Sequence, residues 1–329
     1  MISASTSGAN PGKRPPWAEL TRRCQKPDHR RVGNWMARRV VRPAAQAITW
    51  LLAPWPVSPD LVTLLAWGVL LGAAVALGQG TPGGLLAGAG LLQLWYLLDH
   101  VDGQLARLQR RETLQGTLLD YLMHHSFWFF VPLGLGWGVF QATGGSGWLL
   151  AAAAWAWGAW LLHGVHDARY KAFFKRLKRT RGPVQLRRQT PGPQSPGRWP
   201  ATWAARLRYL GRKVSETHVV MNLLLLLALG CWGWGSRQLY PLQLYLGAMG
   251  LWAPAAACAL LWREVRLRRA EAEFARWFTP APGHRWHYEP GRWLVLPGKL
   301  AAEQAASPAE HATGEPAAEE KHSPAISPR

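Results

Sequence analysis

The sequence predicts an all-α integral membrane protein: six transmembrane helices preceded by a cytosolic surface helix. Three observations carry that prediction. Apolar residues are gathered in blocks such as "LVTLLAWGVLLGAAVALG" (61–78) and "HVVMNLLLLLALGCWGWG" (218–235), which no soluble core needs. A mean hydropathy of -0.09 hides them only because basic connections offset them. Six stretches reach the roughly 20 residues a helix needs to cross the hydrocarbon layer: about 61–79, 83–101, 117–140, 147–166, 218–236 and 241–262. Finally, the 38 Lys plus Arg, against 18 Asp plus Glu, lie almost wholly on one side of those spans. They crowd into 13–42, 107–111, 169–213 and 263–299, whereas the connections near 80–82, 141–146 and 237–240 hold only Arg237. That asymmetry places both termini in the cytosol. It accounts for the net charge of +20 without a nucleic-acid partner.

Taken in order, residues 1–29 are polar and read as a disordered N-terminal segment, with no apolar core and cleavage site to suggest a leader. Residues 30–56 mix Arg with Trp, Ile and Leu, the composition of one or two basic helical pieces on the cytosolic membrane surface. Ser58 and Pro59 form a helix-start signal, cap followed by first-turn proline. Residues 57–265 then form one six-span membrane domain. Its third span carries Pro132, which membrane helices tolerate. Gly84 and Gly88, four apart on the second span, favour close helix packing. Trp55, Trp95, Trp148, Trp234 and Trp262 sit near span ends as interfacial anchors. The 167–215 connection is long and basic and reads as a cytosolic loop attracted to anionic lipid. Residues 266–329 read as a basic cytosolic segment and a disordered tail, with a hairpin over "GHRWHYEPGRWLVLPG". Cys24, Cys231 and Cys258 form no CxxC pair and suggest neither a disulfide framework nor a zinc site.

Against this apolar background, "LLDHVDGQLARLQRRETLQGTLLDYLMHH" (97–125) stands out. Helical spacing puts Asp99, Asp102, Gly103 and Ala106 on one face at the end of the second span, with Arg107 beside them. Gly116, Asp120 and His124 follow at steps of four on the next helix, and the intervening residues let the chain turn back. Ionisable residues inside membrane helices are costly and usually mark function. Carboxylates converging from two helices repel unless a cation lies between them, and oxygen donors suit Mg²⁺ or Mn²⁺. The competing reading is a set of helix-end residues snorkelling to the interface.

The pattern Asp99-x-x-Asp102-Gly103-x-x-Ala106-Arg107, eight residues, Gly116, three residues, Asp120, three residues, His124 resembles the signature of the CDP-alcohol phosphatidyltransferase family. Seven signature residues and every spacing match; His124 stands where the family has a final Asp. The resemblance extends over about 35–262 and includes a "P-N-x-[IV]-T"-like start to the first span at Pro59-Asp60-Leu61-Val62-Thr63. It implies transfer of a phosphatidyl or phosphoalcohol group from a CDP-alcohol to an alcohol acceptor, with release of CMP. It also implies that Asp99, Asp102 and Asp120 hold one or two Mg²⁺ or Mn²⁺ ions, and that Gly103, Ala106, Arg107 and Gly116 bind the donor. Thr63 and Asp60 would edge the nucleotide pocket, although Asp60 also suits a helix start.

His124 then has two readings. An imidazole with an ordinary pKa near 6.5 suits the general base for the acceptor hydroxyl, and it also ligates metals. The alternative is an inactive relative that binds lipid or nucleotide without turnover. A transporter would continue its polar residues to the far side, and these spans do not. Arg38, Arg39, Arg42 and His218 are candidates for the acceptor pocket; His163, His166, Asp167, Glu216 and Asn222 are weaker ones that interface anchoring also explains. The expected partners are the donor, the acceptor and membrane lipids, with a homodimer compatible. High Ala, Gly, Arg and Trp usage points to a bacterial inner membrane. The preferred donor is CDP-diacylglycerol, and no residue selects the acceptor.

Overall fold

The computed structural model of the protein describes residues 14–26, 33–187, 202–233 and 239–299. The expectations for 1–13, 27–29 and the tail from 300, and for Trp234 and Arg237, lie outside these residues. The chain divides into two units, Met1–Asp167 with Ser195–Leu267, and Ala168–Gln194 with Arg268–Arg329.

The first unit is helical. Its opening element, α1 (Trp17–Cys24), corrects the expectation of disorder across 1–29. Leu20 and Cys24, four residues apart, share a face and are fully buried. A π-helical stretch, Ala37–Val41, runs into α2 (Arg42–Leu52). Ala45 of α2 packs with Val62, Val101 and Leu105 in a small apolar cluster. Helix α3 (Pro59–Leu77) starts as its sequence predicts: the Leu61 N–H donates to Ser58 Oγ at 3.1 Å, with Pro59 in the first turn. Thr81 and Thr113 cap α4 (Pro82–Gln109) and α5 (Leu114–Thr143) in the same way.

Close approach of α4 to α3 needs the glycines singled out in the sequence. A Cβ on Gly88 would lie 2.7 Å from Leu77 Cγ and 2.9 Å from the Ala73 carbonyl oxygen. One on Gly84 would lie 2.7 Å from the Ala76 carbonyl oxygen. Helices α6 (Gly147–Lys178), α7 (Trp203–Val214), α8 (Thr217–Gly233) and α9 (Tyr240–Arg266) follow. The main core runs through α3, α4, α5, α8 and α9, around Trp95, Phe127, Leu135, Met221 and Leu246. Three described helices, α3, α6 and α9, are both long and apolar enough to cross a membrane. Helices α4 and α5, 28 and 30 residues, run past the predicted spans; Asp102 lies on the extension of α4, whereas Asp99 and Asp120 lie within the predicted spans near their ends.

Helix α4 stops at Arg110, which adopts a left-handed conformation (φ 55°), while the Arg111 N–H donates to the Ala106 carbonyl at 2.8 Å. That backbone shape suits glycine and costs an L-residue about 1 to 2 kcal/mol. Arg110→Gly, after allowance for the freer unfolded chain, is expected to stabilise the protein by about 0.5 to 1 kcal/mol. The check is a higher midpoint of thermal unfolding in detergent.

The second unit corrects two expectations. Residues 167–215 are not one solvated loop: α6 continues to Lys178, and strands β1 (Thr180–Arg181) and β2 (Val184–Leu186) follow. Nor is the chain wholly helical, because α10 (Arg269–Trp277) leads into β3 (Phe278–Pro280), β4 (His284–Glu289) and β5 (Arg292–Pro297). The anticipated hairpin forms, β4 antiparallel to β5, with β1 joining β5 in parallel and β2 pairing antiparallel with β3. A small aromatic core explains this order within so basic a sequence. Phe173 and Phe274 pack edge to face, and the Arg176 guanidinium lies 3.9 Å from the Trp293 ring centre and 4.3 Å from that of Phe274. Arg169 pairs with Glu273.

Candidate metal and nucleotide site

Residues at the adjoining ends of α3, α4 and α5 surround one cavity of about 460 Å³ in the first unit. Its lining includes Asp99, Asp102, Gly103, Ala106 and Arg107 from α4, Gly116, Asp120 and His124 from α5, and Asp60 and Thr63 from α3. Residues that share helical faces in the sequence thus line a single surface. Arg42 joins it, whereas Arg38, Arg39 and His218 lie outside the lining residues. The His218 Nε2 is 3.4 Å from Glu216, and Asp167 faces His125 at 3.0 Å. The cavity therefore takes one of the four residues proposed for the acceptor pocket.

Each wall has a local cause. Asp102 is buried, and the Thr63 hydroxyl donates to its Oδ2 at 2.6 Å. Gly116 leaves room for Asp60: a Cβ there would lie 3.2 Å from Asp60 Oδ1. Arg107 is held away from free rotation because its Nε donates to the Cys24 carbonyl at 2.6 Å. Burial pushes the Cys24 thiol above its ordinary pKa, so the residue stays a neutral packing group. Gln104 donates to the Arg42 carbonyl at 3.2 Å and accepts from Thr49, tying α2 to α4.

At the centre, His124 Nε2 lies 3.2 Å from Asp99 Oδ1 and 3.3 Å from Asp120 Oδ1. The imidazole meets the buried Trp95 ring edge-on, with centres 5.7 Å apart. One donor atom each from Asp99, Asp120 and His124 fall within 4.8 Å of one another. Two carboxylates and an imidazole brought this close, with Asp102 alongside, fit a divalent cation in donor type and charge. The sequence reading missed His100, whose Nδ1 is 2.9 Å from the Tyr96 carbonyl and 3.4 Å from Asp99 Oδ2. It also missed Gln25 and Lys26, which line the cavity from a segment read as disordered.

Thr63→Val takes the hydroxyl donor from the buried Asp102 carboxyl and should cost about 1.5 kcal/mol of stability, the value of a hydrogen bond to a charged group. The measurement is the midpoint of thermal unfolding in detergent, with the fold checked by circular dichroism.

Three apolar, membrane-length helices are those of a membrane protein, and an Asp, Asp and His group lines the cavity where α3, α4 and α5 adjoin. Residues 56–172 match the model of the CDP-alcohol phosphatidyltransferase family. The matched stretch runs from just before α3 into α6 and holds every central site residue from Asp60 to His124. The family is a class of phosphotransferases, generally dependent on divalent metal, that move a phosphoalcohol group from a CDP-alcohol. No curated protein matches the chain.

Proposed function

We propose that the protein catalyses transfer of a phosphatidyl group from CDP-diacylglycerol to a polar alcohol, releasing CMP, at the cytosolic face of a six-span membrane domain. The observation that carries this reading is the convergence of Asp99, Asp102, Asp120 and His124 on one open cavity. Six spans are supported by α4 and α5, each about 42 to 45 Å long. Their outward residues Leu94, Phe129 and Trp137 are exposed as lipid-facing side chains would be.

In this reading Asp99, Asp102 and Asp120, with His124 beside them, hold one or two divalent ions, which would offset the charge of the donor's diphosphate. The chain's own residues do the rest. Gly103 and Ala106 leave a smooth floor for the cytidine nucleotide, with Thr63 and Asp60 at its edge and Arg107 fixed beside it. The acceptor oxygen bonds to the phosphorus that carries the diacylglycerol. The P–O bond to CMP breaks, and the hydroxyl proton leaves towards the carboxylates of the cluster. Arg42 and Lys26 add positive charge to the same wall and favour anionic substrates.

The test is CMP release by purified protein in detergent with Mg²⁺ or Mn²⁺, CDP-diacylglycerol and a pool of polar alcohols and their phosphates. Metal-dependent CMP together with a new lipid mass is the expected result. No CMP from this donor or from small CDP-alcohols would overturn the assignment in favour of a binding protein.

A further inference from the structure

We infer that His124 serves this site as a nitrogen ligand of the cation, and that the site therefore selects Mn²⁺ over Mg²⁺. The inference rests on the cation site of the proposed function and goes further, to the donor set and the metal it takes. Three features of the cluster carry it. His124 Nε2 is the only nitrogen in the three-residue donor group found among the described residues, and it stands 3.2 and 3.3 Å from the two carboxylate oxygens. Asp102, the remaining acid, is absent from that group and has its Oδ2 engaged by Thr63. Its burial and that bond leave it less free to swing in and replace the imidazole. The ring's tilt is set by Trp95, which is fully buried and stacks on Phe127 with centres 4.9 Å apart. Asp120, one turn earlier on the same helix, moves with it.

The chemical consequence follows from ligand type. Mg²⁺ is small, prefers an octahedron of oxygens and gives up water reluctantly. An imidazole in the set favours first-row transition ions over Mg²⁺, and Mn²⁺, which stands above Mg²⁺ in its acceptance of nitrogen while keeping its affinity for carboxylates, gains relative to Mg²⁺. A carboxylate at 124 would restore an all-oxygen group and add a negative charge, which benefits Mg²⁺ most. Among the described residues His100 also touches Asp99, through Oδ2 at 3.4 Å, so it must be separated from His124 in any test.

The experiment uses the full chain, purified in detergent and freed of metal, with Mn²⁺ alone as probe. Pulsed electron paramagnetic resonance of bound Mn²⁺ is recorded for the natural protein, H124D and H100Q. Affinities for Mn²⁺ and Mg²⁺ are measured by competition. Nitrogen-14 modulation is expected in the natural protein and in H100Q and should vanish in H124D, which still binds Mn²⁺. The preference for Mn²⁺ over Mg²⁺ should fall at least about tenfold in H124D. Bound Mn²⁺ without nitrogen modulation, or modulation that survives in H124D, would overturn the inference while leaving the cation site standing. An unchanged metal preference in H124D would overturn the selectivity. No Mn²⁺ binding by the natural protein would remove the cation site itself, and with it the reading on which this inference rests.

Discussion

Asp102→Asn is expected to lower metal-dependent CMP release about 1,000-fold or more, the largest single effect on activity in the protein. The substitution keeps the size and shape of a side chain that is only 7% exposed, and the amide oxygen can still accept the Thr63 hydroxyl. What it removes is one full negative charge from the cluster we propose to hold cations against a diphosphate. Charge stabilisation of that kind amounts to several kcal/mol of barrier, and each 1.36 kcal/mol is about tenfold in rate. The check is CMP release across a metal titration, beside a circular dichroism spectrum unchanged from that of the natural protein. Turnover near the natural rate would take Asp102 out of the machinery.

The largest expected loss of stability comes from adding one methyl group where α5 meets α3. A Cβ on Gly138 would run into the Leu77 carbonyl oxygen and come within 3.1 Å of the Gly80 nitrogen. One on Gly134 would meet the Ala74 carbonyl, with Cα at 3.0 Å. These partners are backbone atoms and cannot rotate aside, so the helices must separate. Gly134→Ala and Gly138→Ala should each cost about 2 to 3 kcal/mol, at the upper end for overpacking. Gly90→Ala, whose new methyl meets nothing within 4 Å, should be neutral or slightly stabilising and serves as the control. Thermal unfolding of the three variants in detergent distinguishes them; equal midpoints would refute the close approach of α3 and α5.

The central site was legible because its information is local. Asp99 and Asp102 lie three apart, Gly116, Asp120 and His124 four apart, and helical geometry alone puts each set on a face. Ser58 before Pro59 announced α3 for the same reason. What escaped depends on partners far away in sequence. Trp17–Cys24 looks polar and short, and its order comes from burying Leu20 and Cys24 and from Arg107, 83 residues on. The order of 168–187 depends on Phe173 and Arg176 finding Phe274, Trp286 and Trp293, about a hundred residues later. Basic composition spoke for a loop there because nothing nearby reveals the aromatic partners. His100 escaped for a smaller reason: on a helical wheel it stands 100° from Asp99, yet a side chain can bend back across that angle.

The hydrogen bond from Arg107 to the Cys24 carbonyl has a practical consequence for anyone preparing this protein. The first 33 residues invite removal, since they precede every motif residue and carry no span. Yet Gln25 and Lys26 form part of the cavity wall, and the Cys24 carbonyl is what anchors the motif arginine. A shortened protein would keep all of its signature and lose one side of its binding chamber, with Arg107 set loose. Any cut at this end therefore has to leave Trp17–Lys26 in place.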